Sequence, residues 1–133
     1  MYAGGCLCGS VRYEIRGELG LSYYCHCSRC RKATGSAFAA SALVAAKDFV
    51  VLQGEDALKS YSVNGVHRIF CAHCGSPIIS RRDAMPDAVR VRLGTIETPL
   101  PRGPHGHIYV ASKANWFEIC DDLPQYAEEP PMS

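Results

Sequence analysis

Apolar and polar residues alternate over several short stretches of this chain, which is the pattern of half-buried β-strands. Between residues 11 and 16, for example, Val11, Tyr13 and Ile15 alternate with charged residues. Other β-branched or aromatic runs that predict strands occur at 49–54, 58–63, 88–93, 107–110 and 116–120. The pattern therefore predicts a mainly β protein that is built from many short strands.

A tight turn separates two of these runs. Asn64 and Gly65 lie between the run 58–63 and a further apolar run that begins at Val66. Both turn residues tolerate a positive φ, which a two-residue turn between antiparallel strands requires. The sequence predicts a β-hairpin at this point.

Helical signals are confined to one short segment. Ser28 is a suitable N-cap, and Gly35 a suitable residue to end the helix seven positions later. The stretch 98–106, which contains three prolines and two glycines, predicts a loop. We expect one or two short helices in the whole chain.

The overall composition is that of a compact soluble domain. The 133 residues are 47% hydrophobic and 20% charged, and the net charge of +1 gives no broad field for nucleic acid or an anionic membrane. The first ten residues lack the features of a signal peptide, and no apolar stretch is long enough to span a bilayer. We expect a cytoplasmic protein with one domain over residues 1–127 and a frayed tail at 128–133.

Cysteine is the residue type that changes this picture. Seven of the eight cysteines fall into three clusters, namely Cys6 and Cys8; Cys25, Cys27 and Cys30; and Cys71 and Cys74. A disulfide framework does not fit a reducing compartment, and scattered core cysteines would not cluster in this way. The spacing therefore favours metal binding. Cys120 is isolated in a strand-like run, where we expect a packed core thiol.

Four of the clustered cysteines predict a structural zinc site. Cys71 and Cys74 form a C-x-x-C motif followed by Gly75, at the end of a predicted hairpin strand. Cys6 and Cys8 point to the same face of an extended segment, and flanking glycines let the backbone curve around an ion. Four thiolates complete a tetrahedral, closed zinc site.

The remaining cluster has an odd number of ligands. Cys25, Cys27 and Cys30 supply three thiolates, and three protein ligands with an open fourth position are typical of catalytic zinc. A histidine is the alternative fourth ligand, and the candidates are His26, His67, His73, His105 and His107. We expect the two that lie inside the cysteine motifs, His26 and His73, to be turn residues or neighbours of the ligands.

Three basic residues lie beside this cluster, namely Arg29, Arg31 and Lys32. Such a run is often an ordinary solvated surface. The alternative is that it holds an anionic substrate next to the predicted open zinc position.

Four segments together resemble a known family. "GGCLCGSVRYEI", "CHCSRCRKATGS", "GVHRIFCAHCGSPI" and "HIYVASKANWFEI" are similar, in this order, to the signatures of the glutathione-dependent formaldehyde-activating enzymes, a family that also includes centromere protein V-like proteins. The resemblance runs from about Gly4 to Tyr126. It implies a β-tent fold, in which small antiparallel sheets are pinned by zinc. It also implies two zinc ions per chain. The residues that match the family's structural ligands are Cys6, Cys8, Cys71 and Cys74, and those that match its catalytic ligands are Cys25, Cys27 and Cys30.

The activity that names the family joins glutathione to formaldehyde. The resemblance implies a zinc-dependent carbon–sulfur lyase or synthase that acts on a small-molecule thiol and an aldehyde, with glutathione as substrate or cosubstrate. Glutathione carries two carboxylates, and we expect Arg31, Lys32 or Lys113 to pair with them. Two alternatives remain, a non-catalytic zinc-stabilised protein-binding module and a zinc-thiolate sensor of oxidants. The odd ligand count favours the enzyme.

Overall fold

The computed structural model describes residues 1–130, and this part of the chain is mainly β with one α-helix. The strands are β1 (Tyr2–Gly5), β2 (Arg12–Ile15), β3 (Ser22–Cys25), β4 (Ala39–Ala45), β5 (Phe49–Gln53), β6 (Leu58–Val63), β7 (Val66–Cys71), β8 (Pro77–Arg82), β9 (Met85–Arg92) and β10 (Gly106–Ile108). The helix is α1 (Ser28–Thr34), and short 3₁₀ turns lie at Ala46–Asp48, Glu55–Ala57, Leu93–Thr95 and Val110–Ser112. The predicted fold class, mainly β with antiparallel sheets and one or two short helices, is confirmed.

The strands form two sheets. The smaller sheet has the order β1-β2-β5, and the larger one has the order β10-β3-β4-β9-β8-β7-β6. Every pairing is antiparallel except that of β10 with β3, which is parallel. Cys25, the last residue of β3, therefore has a strand on either side, with Ile108 opposite it in β10 and Ala39 opposite it in β4.

The hydrophobic core lies between the two sheets. Its buried members from the smaller sheet and its flank are Val11, Tyr13 and Ile15, and those from the larger sheet include Val44, Ile79, Val89 and Val91. Because side chains alternate along a strand, residues two apart share a face. The alternation seen at residues 11–16 thus identified the core face of β2 correctly. Cys6 and Cys71 also belong to the core cluster.

The predicted hairpin is present. It joins β6 to β7, and Val63 pairs with Val66 at its closed end. Asn64 and Gly65 have φ values of 51° and 76°, the left-handed conformation that two-residue hairpin turns require. The predicted strand at 58–63 coincides with β6.

The predicted helix is also present, but its cap is different. Cys27, and not Ser28, is the N-cap, since Cys27 Sγ accepts a hydrogen bond from the backbone N–H of Cys30. Gly35 ends the helix with a φ of 67°. A cysteine that is expected to be a metal ligand therefore also fixes the start of α1.

The predicted strand at 116–120 is wrong. This segment is irregular and pairs with no strand of the described residues, although Phe117 and Ile119 are half-buried and Glu118 between them is exposed. Phe117 packs edge-on against Phe38, with ring centroids 5.5 Å apart. An irregular loop that covers an aromatic cluster with every second residue gives the same alternation as a strand. Cys120 is exposed, so the expectation of a packed core thiol is also wrong.

The last described residues run beside the segment that follows β10. Tyr109 N donates to Glu128 O over 3.0 Å, and the carboxylate of Glu129 lies 3.4 Å from Arg82 Nη2. The first two residues of the tail that we expected to be frayed, at 128–133, are thus held by these contacts, and residues 131–133 lie outside the described part. The predicted loop at 98–106 is irregular up to residue 105. No helix in the described residues has the length and apolar character that crossing a membrane requires.

Candidate metal centres

The four cysteines predicted to form a structural site meet at one end of the core. Their sulfur atoms all lie within 4.8 Å of one another, and the residues are Cys6, Cys8, Cys71 and Cys74. Cys6 Sγ is 3.6 Å from Cys8 Sγ, which is 3.9 Å from Cys71 Sγ. A tetrahedral zinc ion with zinc–sulfur bonds of ~2.3 Å places its sulfur atoms about 3.8 Å apart. The donor set and its spacing therefore fit zinc.

Two turns bring these sulfurs together. In the first, Gly9 N donates to Cys6 O over 3.2 Å, and in the second Gly75 N donates to Cys71 O over 2.7 Å. Gly75 has a φ of 80°, which a residue with a Cβ rarely adopts. Ser76 Oγ joins the two turns, because it accepts from Leu7 N over 2.9 Å and lies 3.3 Å from Cys74 Sγ.

The thiols of this cluster differ in their pKa values. The hydroxyl and the backbone N–H of Ser76 lower the pKa of Cys74 to about 5. Burial raises the pKa of Cys71 to about 11. Cys74 is therefore a thiolate at neutral pH, whereas the buried Cys71 loses its proton readily only when a cation takes its place.

The second cluster consists of Cys25, Cys27 and Cys30, whose sulfurs also lie within 4.8 Å of one another. Cys25 ends β3, Cys27 caps α1, and Cys30 lies in the first turn of the helix. Cys30 is buried and the other two are half-buried. The strand end and the helix start thus fix all three side chains within six residues of chain.

Cys27 is the residue of this cluster that carries the negative charge. Hydrogen bonds from the thiols of Cys25 and Cys30, together with backbone N–H groups, lower the pKa of Cys27 to about 2. The pKa of Cys25 is raised because it is the partner that keeps its proton in these hydrogen bonds and because it is buried. Three sulfurs that compete so strongly for protons are suited to share a cation instead.

No histidine in residues 1–130 joins either cluster. His26 lies on the opposite side of its segment from Cys25 and Cys27, and its Nε2 is 2.8 Å from His107 Nδ1. The remaining three have partners elsewhere: His73 contacts Ser10, His67 contacts Ser62 and Asp83, and His105 contacts Ser22. Within the described chain, the three-cysteine cluster accordingly lacks a fourth protein ligand.

The predicted substrate-binding cations lie in different environments. Arg31 follows Cys30 directly in α1, and its Nε is buried without a hydrogen-bond partner in the described structure. Lys32 is exposed. Lys113 Nζ donates to the carbonyl oxygens of Ala114, at 3.1 Å, and Phe117, so two of its three protons hold its own loop together.

Sequence reasoning missed two further cations near this cluster. Arg90 and Arg92 lie on β9. Burial lowers the pKa of both guanidinium groups, and the negative charges of Cys25 and Cys30 oppose this effect. The available signal was the alternation in "VRVRL", which places both arginines on one face of the strand. This alternation predicts a strand, but it does not tell what the shared face contacts.

Comparison with known proteins agrees with this arrangement. The sequence pattern of the family described as glutathione-dependent formaldehyde-activating enzyme matches residues 1–112. The chain belongs to this family. A crystal structure of a Rhodobacter sphaeroides protein, a structural genomics target, is 27% identical to it with a TM-score of 0.65, and the match covers 79% of this chain and 98% of the other. The seven cysteines that carried the resemblance all lie within the matched residues of the formaldehyde-activating family.

Proposed function

We propose that the protein is a zinc-dependent carbon–sulfur lyase or synthase of the S-(hydroxymethyl)glutathione synthase type, which joins glutathione to formaldehyde or a closely related thiol to an aldehyde. One observation carries the proposal. In a chain of the formaldehyde-activating family, three cysteines converge without a fourth protein ligand in the described residues. A purely structural zinc site is normally closed by four ligands, and a catalytic one keeps a position for the substrate.

Two zinc ions per chain would have different roles. The four-cysteine cluster would hold a structural ion that joins the start of the chain to the end of β7. Cys25, Cys27 and Cys30 would hold the catalytic ion. When bound there, zinc supplies a Lewis acid that lowers the pKa of a thiol or polarises a carbonyl group.

The reaction itself is a simple addition. The sulfur of the thiol forms a bond with the aldehyde carbon, the carbonyl oxygen becomes a hydroxyl group, and the thiol proton ends on that oxygen. No oxidant or reductant is needed. The protein therefore contributes mainly by holding the thiol and the aldehyde in contact, which removes the entropic cost of bringing two small molecules together.

The surroundings of the cluster suit an anionic thiol. Arg31 directly follows Cys30 in α1, and its buried Nε has no hydrogen-bond partner in the described residues, so it is the best placed of the three cations that the sequence suggested for the carboxylates of glutathione. Lys32 and Lys113 are the weaker candidates, the first because it is exposed and the second because its ammonium group is engaged with two carbonyls.

Cobalt substitution tests the open position. A sulfur ligand that enters the cobalt-loaded site strengthens the thiolate-to-metal charge-transfer absorption, so glutathione should change the spectrum in a saturable way. S-methylglutathione, which cannot supply a thiolate, is the matched control and should leave the spectrum unchanged. The Cys27→Ser variant should lose the response.

A cobalt spectrum that responds to no thiol would show that the site is closed. It would remove the proposed enzyme and favour the zinc-stabilised protein-binding module. A response to small thiols but not to glutathione would keep the reaction class and remove the named substrate. Formation of the thiohemiacetal from glutathione and formaldehyde, followed by NMR exchange rates with and without the protein, tests the reaction directly.

A further inference from the structure

Three arginines lie on the same face of the larger sheet as the three-cysteine cluster. Arg90 and Arg92 are two residues apart on β9, so they share a face. Arg90 lies opposite Ser80 of β8, and Ser80 lies opposite Arg68 of β7. Arg68, Arg90 and Arg92 are called the arginine face below.

The register of the sheet connects this face to the cluster. Arg92 lies opposite Ser41 of β4, and Ser41 lies opposite Tyr23 of β3. Tyr23 and Cys25 are again two residues apart and share that face. Two strand spacings, about 10 Å, separate β9 from β3. The opposite face of the sheet carries core residues such as Val91, so the arginines and the cysteines lie together on the side away from the core.

Carboxylates balance the charges of the arginine face only in part, because Glu129, whose charge acts on Arg90, is itself paired with Arg82. None of the three arginines has an acidic partner among the ion pairs of residues 1–130. Arg82, which lies nearby on β8, is different because it pairs with Glu129. A cation that is partly removed from water without a counter-charge is unfavourable, so the face is expected to attract anions.

Arg92 is the most buried member. Only 7% of its surface is exposed, its Nη1 donates to Ser41 Oγ over 2.7 Å, and its buried Nε has no partner in the described structure. Three thiolates and a zinc ion would together carry one negative charge, which can balance one of the three cations. The other two are left for a ligand.

We propose that Arg68, Arg90 and Arg92 bind the carboxylates of the thiol substrate, and that this face makes the site selective for anionic thiols over neutral thiols of similar size. The inference rests on the proposed function, because it names the substrate class of the same site. A planar guanidinium group binds a carboxylate through two parallel hydrogen bonds, which gives both affinity and orientation. The carboxylates would be held on β7 and β9, while the sulfur faces Cys25, Cys27 and Cys30.

Binding of S-methylglutathione, measured by calorimetry on the zinc-loaded protein, tests the arginine face without a metal–sulfur bond. We expect Arg68→Gln and Arg90→Gln each to weaken this binding about tenfold, as for a charge-assisted hydrogen bond that is partly exposed. Arg90→Lys, which keeps the charge but loses the fork of donors, should give an intermediate loss. Arg81→Gln is the matched control, because Arg81 is exposed and next to Arg82 on β8 but has no place on the face, and it should bind normally.

The diester of S-methylglutathione, in which both carboxylates are blocked, provides a second test of the arginine face. In the unchanged protein we expect the S-methylglutathione diester to bind at least about tenfold more weakly than the acid, and in Arg68→Gln/Arg90→Gln we expect the difference to shrink, since the two changes remove the same interaction. Zinc content and thermal unfolding of each variant show whether it is folded and loaded. Equal binding of the acid by the unchanged protein and both arginine variants would overturn the inference, as would the absence of binding at millimolar concentration.

Cobalt spectra separate this inference from the proposed function. If 2-mercaptoethanol and 3-mercaptopropionate enter the site with equal affinity, the proposed function stands and the anion selectivity is wrong. If neither changes the spectrum but S-methylglutathione still binds through Arg68 and Arg90, the carboxylate site stands and the proposed chemistry is wrong.

Discussion

His26 Nε2 lies 2.8 Å from His107 Nδ1 in the interior, and at most 2% of either residue is exposed. His107 Nε2 continues the chain to the carboxylate of Asp121, at 3.0 and 3.1 Å. Phe38 and Phe117 pack edge-on and tilted against the His26 ring. The segment between Cys25 and Cys27 is thus anchored from behind by a line of polar side chains that ends at the surface.

This line predicts a single tautomer for His26. Burial lowers the pKa of His26 to about 4, so the ring is neutral at pH 7. The hydrogen bond with His107 lowers the pKa of Asp121, so its carboxylate only accepts and His107 Nε2 donates. A proton on His26 Nδ1 would be a buried N–H without an acceptor in the described structure, which is rarer than an unpaired acceptor. We therefore expect the proton on His26 Nε2.

Nitrogen-15 NMR of the imidazole rings measures this directly. His26 should show a protonated Nε2 and an unprotonated Nδ1, with a slowly exchanging proton. His73, whose ring hydrogen-bonds to Ser10 near the surface, should show averaged tautomers. A protonated Nδ1 in His26 would mean that an acceptor reaches this atom and that the polar line runs in the other direction.

Two zinc ions per chain should bind with different strength. Four thiolates hold an ion more tightly than three, so a chelator should remove one zinc per chain well before the other. Elemental analysis of protein reloaded with zinc should give two ions per chain, and titration with a coloured chelator should show two steps. A single step that releases one ion per chain would contradict the two-site arrangement.

Serine substitutions should separate the roles of the two clusters. Cys71 is fully buried in the core, so Cys71→Ser should lose the tight zinc and unfold the chain, because structural metal binding contributes directly to folding. Cys27→Ser should remain folded with one zinc bound. Circular dichroism, thermal unfolding and metal content together test both expectations.

Cys120→Ser is the matched control for these variants. Cys120 is exposed and lies outside both clusters, so this variant should keep both ions and its unfolding temperature. If Cys27→Ser unfolded the chain while Cys71→Ser did not, the structural and catalytic assignments would be reversed.

Gly54 should tolerate no side chain. Its φ is 82°, and a Cβ would lie 2.0 Å from Ser10 O, which is backbone and cannot move without disturbing the turn after Cys8. We expect Gly54→Ala to destabilise the fold by several kcal/mol, about 1 kcal/mol from the positive φ and the rest from the clash. Urea unfolding measures the change.

Gly35→Ala isolates the conformational part of this cost. Gly35 also has a positive φ, of 67°, but a Cβ there would meet no atom within 4 Å. It should therefore cost about 1 kcal/mol. Equal losses for Gly54→Ala and Gly35→Ala would show that the turn at Ser10 can adjust.

Local sequence was sufficient for the elements whose signal is local. The alternation of Val11, Tyr13 and Ile15, the Asn64–Gly65 turn and the helix that ends at Gly35 all appear in the structure. Each depends on backbone preferences or side-chain periodicity within a few residues. The grouping of the cysteines could also be predicted, because zinc accepts few ligand types and spacings.

Other features depend on contacts between distant segments. The alanine-rich run of β4 (Ala39–Ala45) has no strong strand signal. It is nevertheless a strand, because it pairs with β3 on one side and with β9 on the other. The loop at 116–120 alternates like a strand but lacks a neighbour to pair with. Strand propensity cannot distinguish these two cases, because both are decided by what lies beside the segment.

The sequence alone was therefore enough to predict a mainly β protein, two sets of clustered thiols and an odd number of thiols, those of Cys25, Cys27 and Cys30, in one of the sets. The residues that surround these thiols depend instead on contacts between distant segments. The register of the larger sheet is fixed by pairings between residues that are far apart in the sequence. These pairings bring Arg92 to the face of Cys25, and the packing of the chain places His26 against His107. Alternation along a strand tells which side chains share a face, but only the packed sheets determine what that face meets.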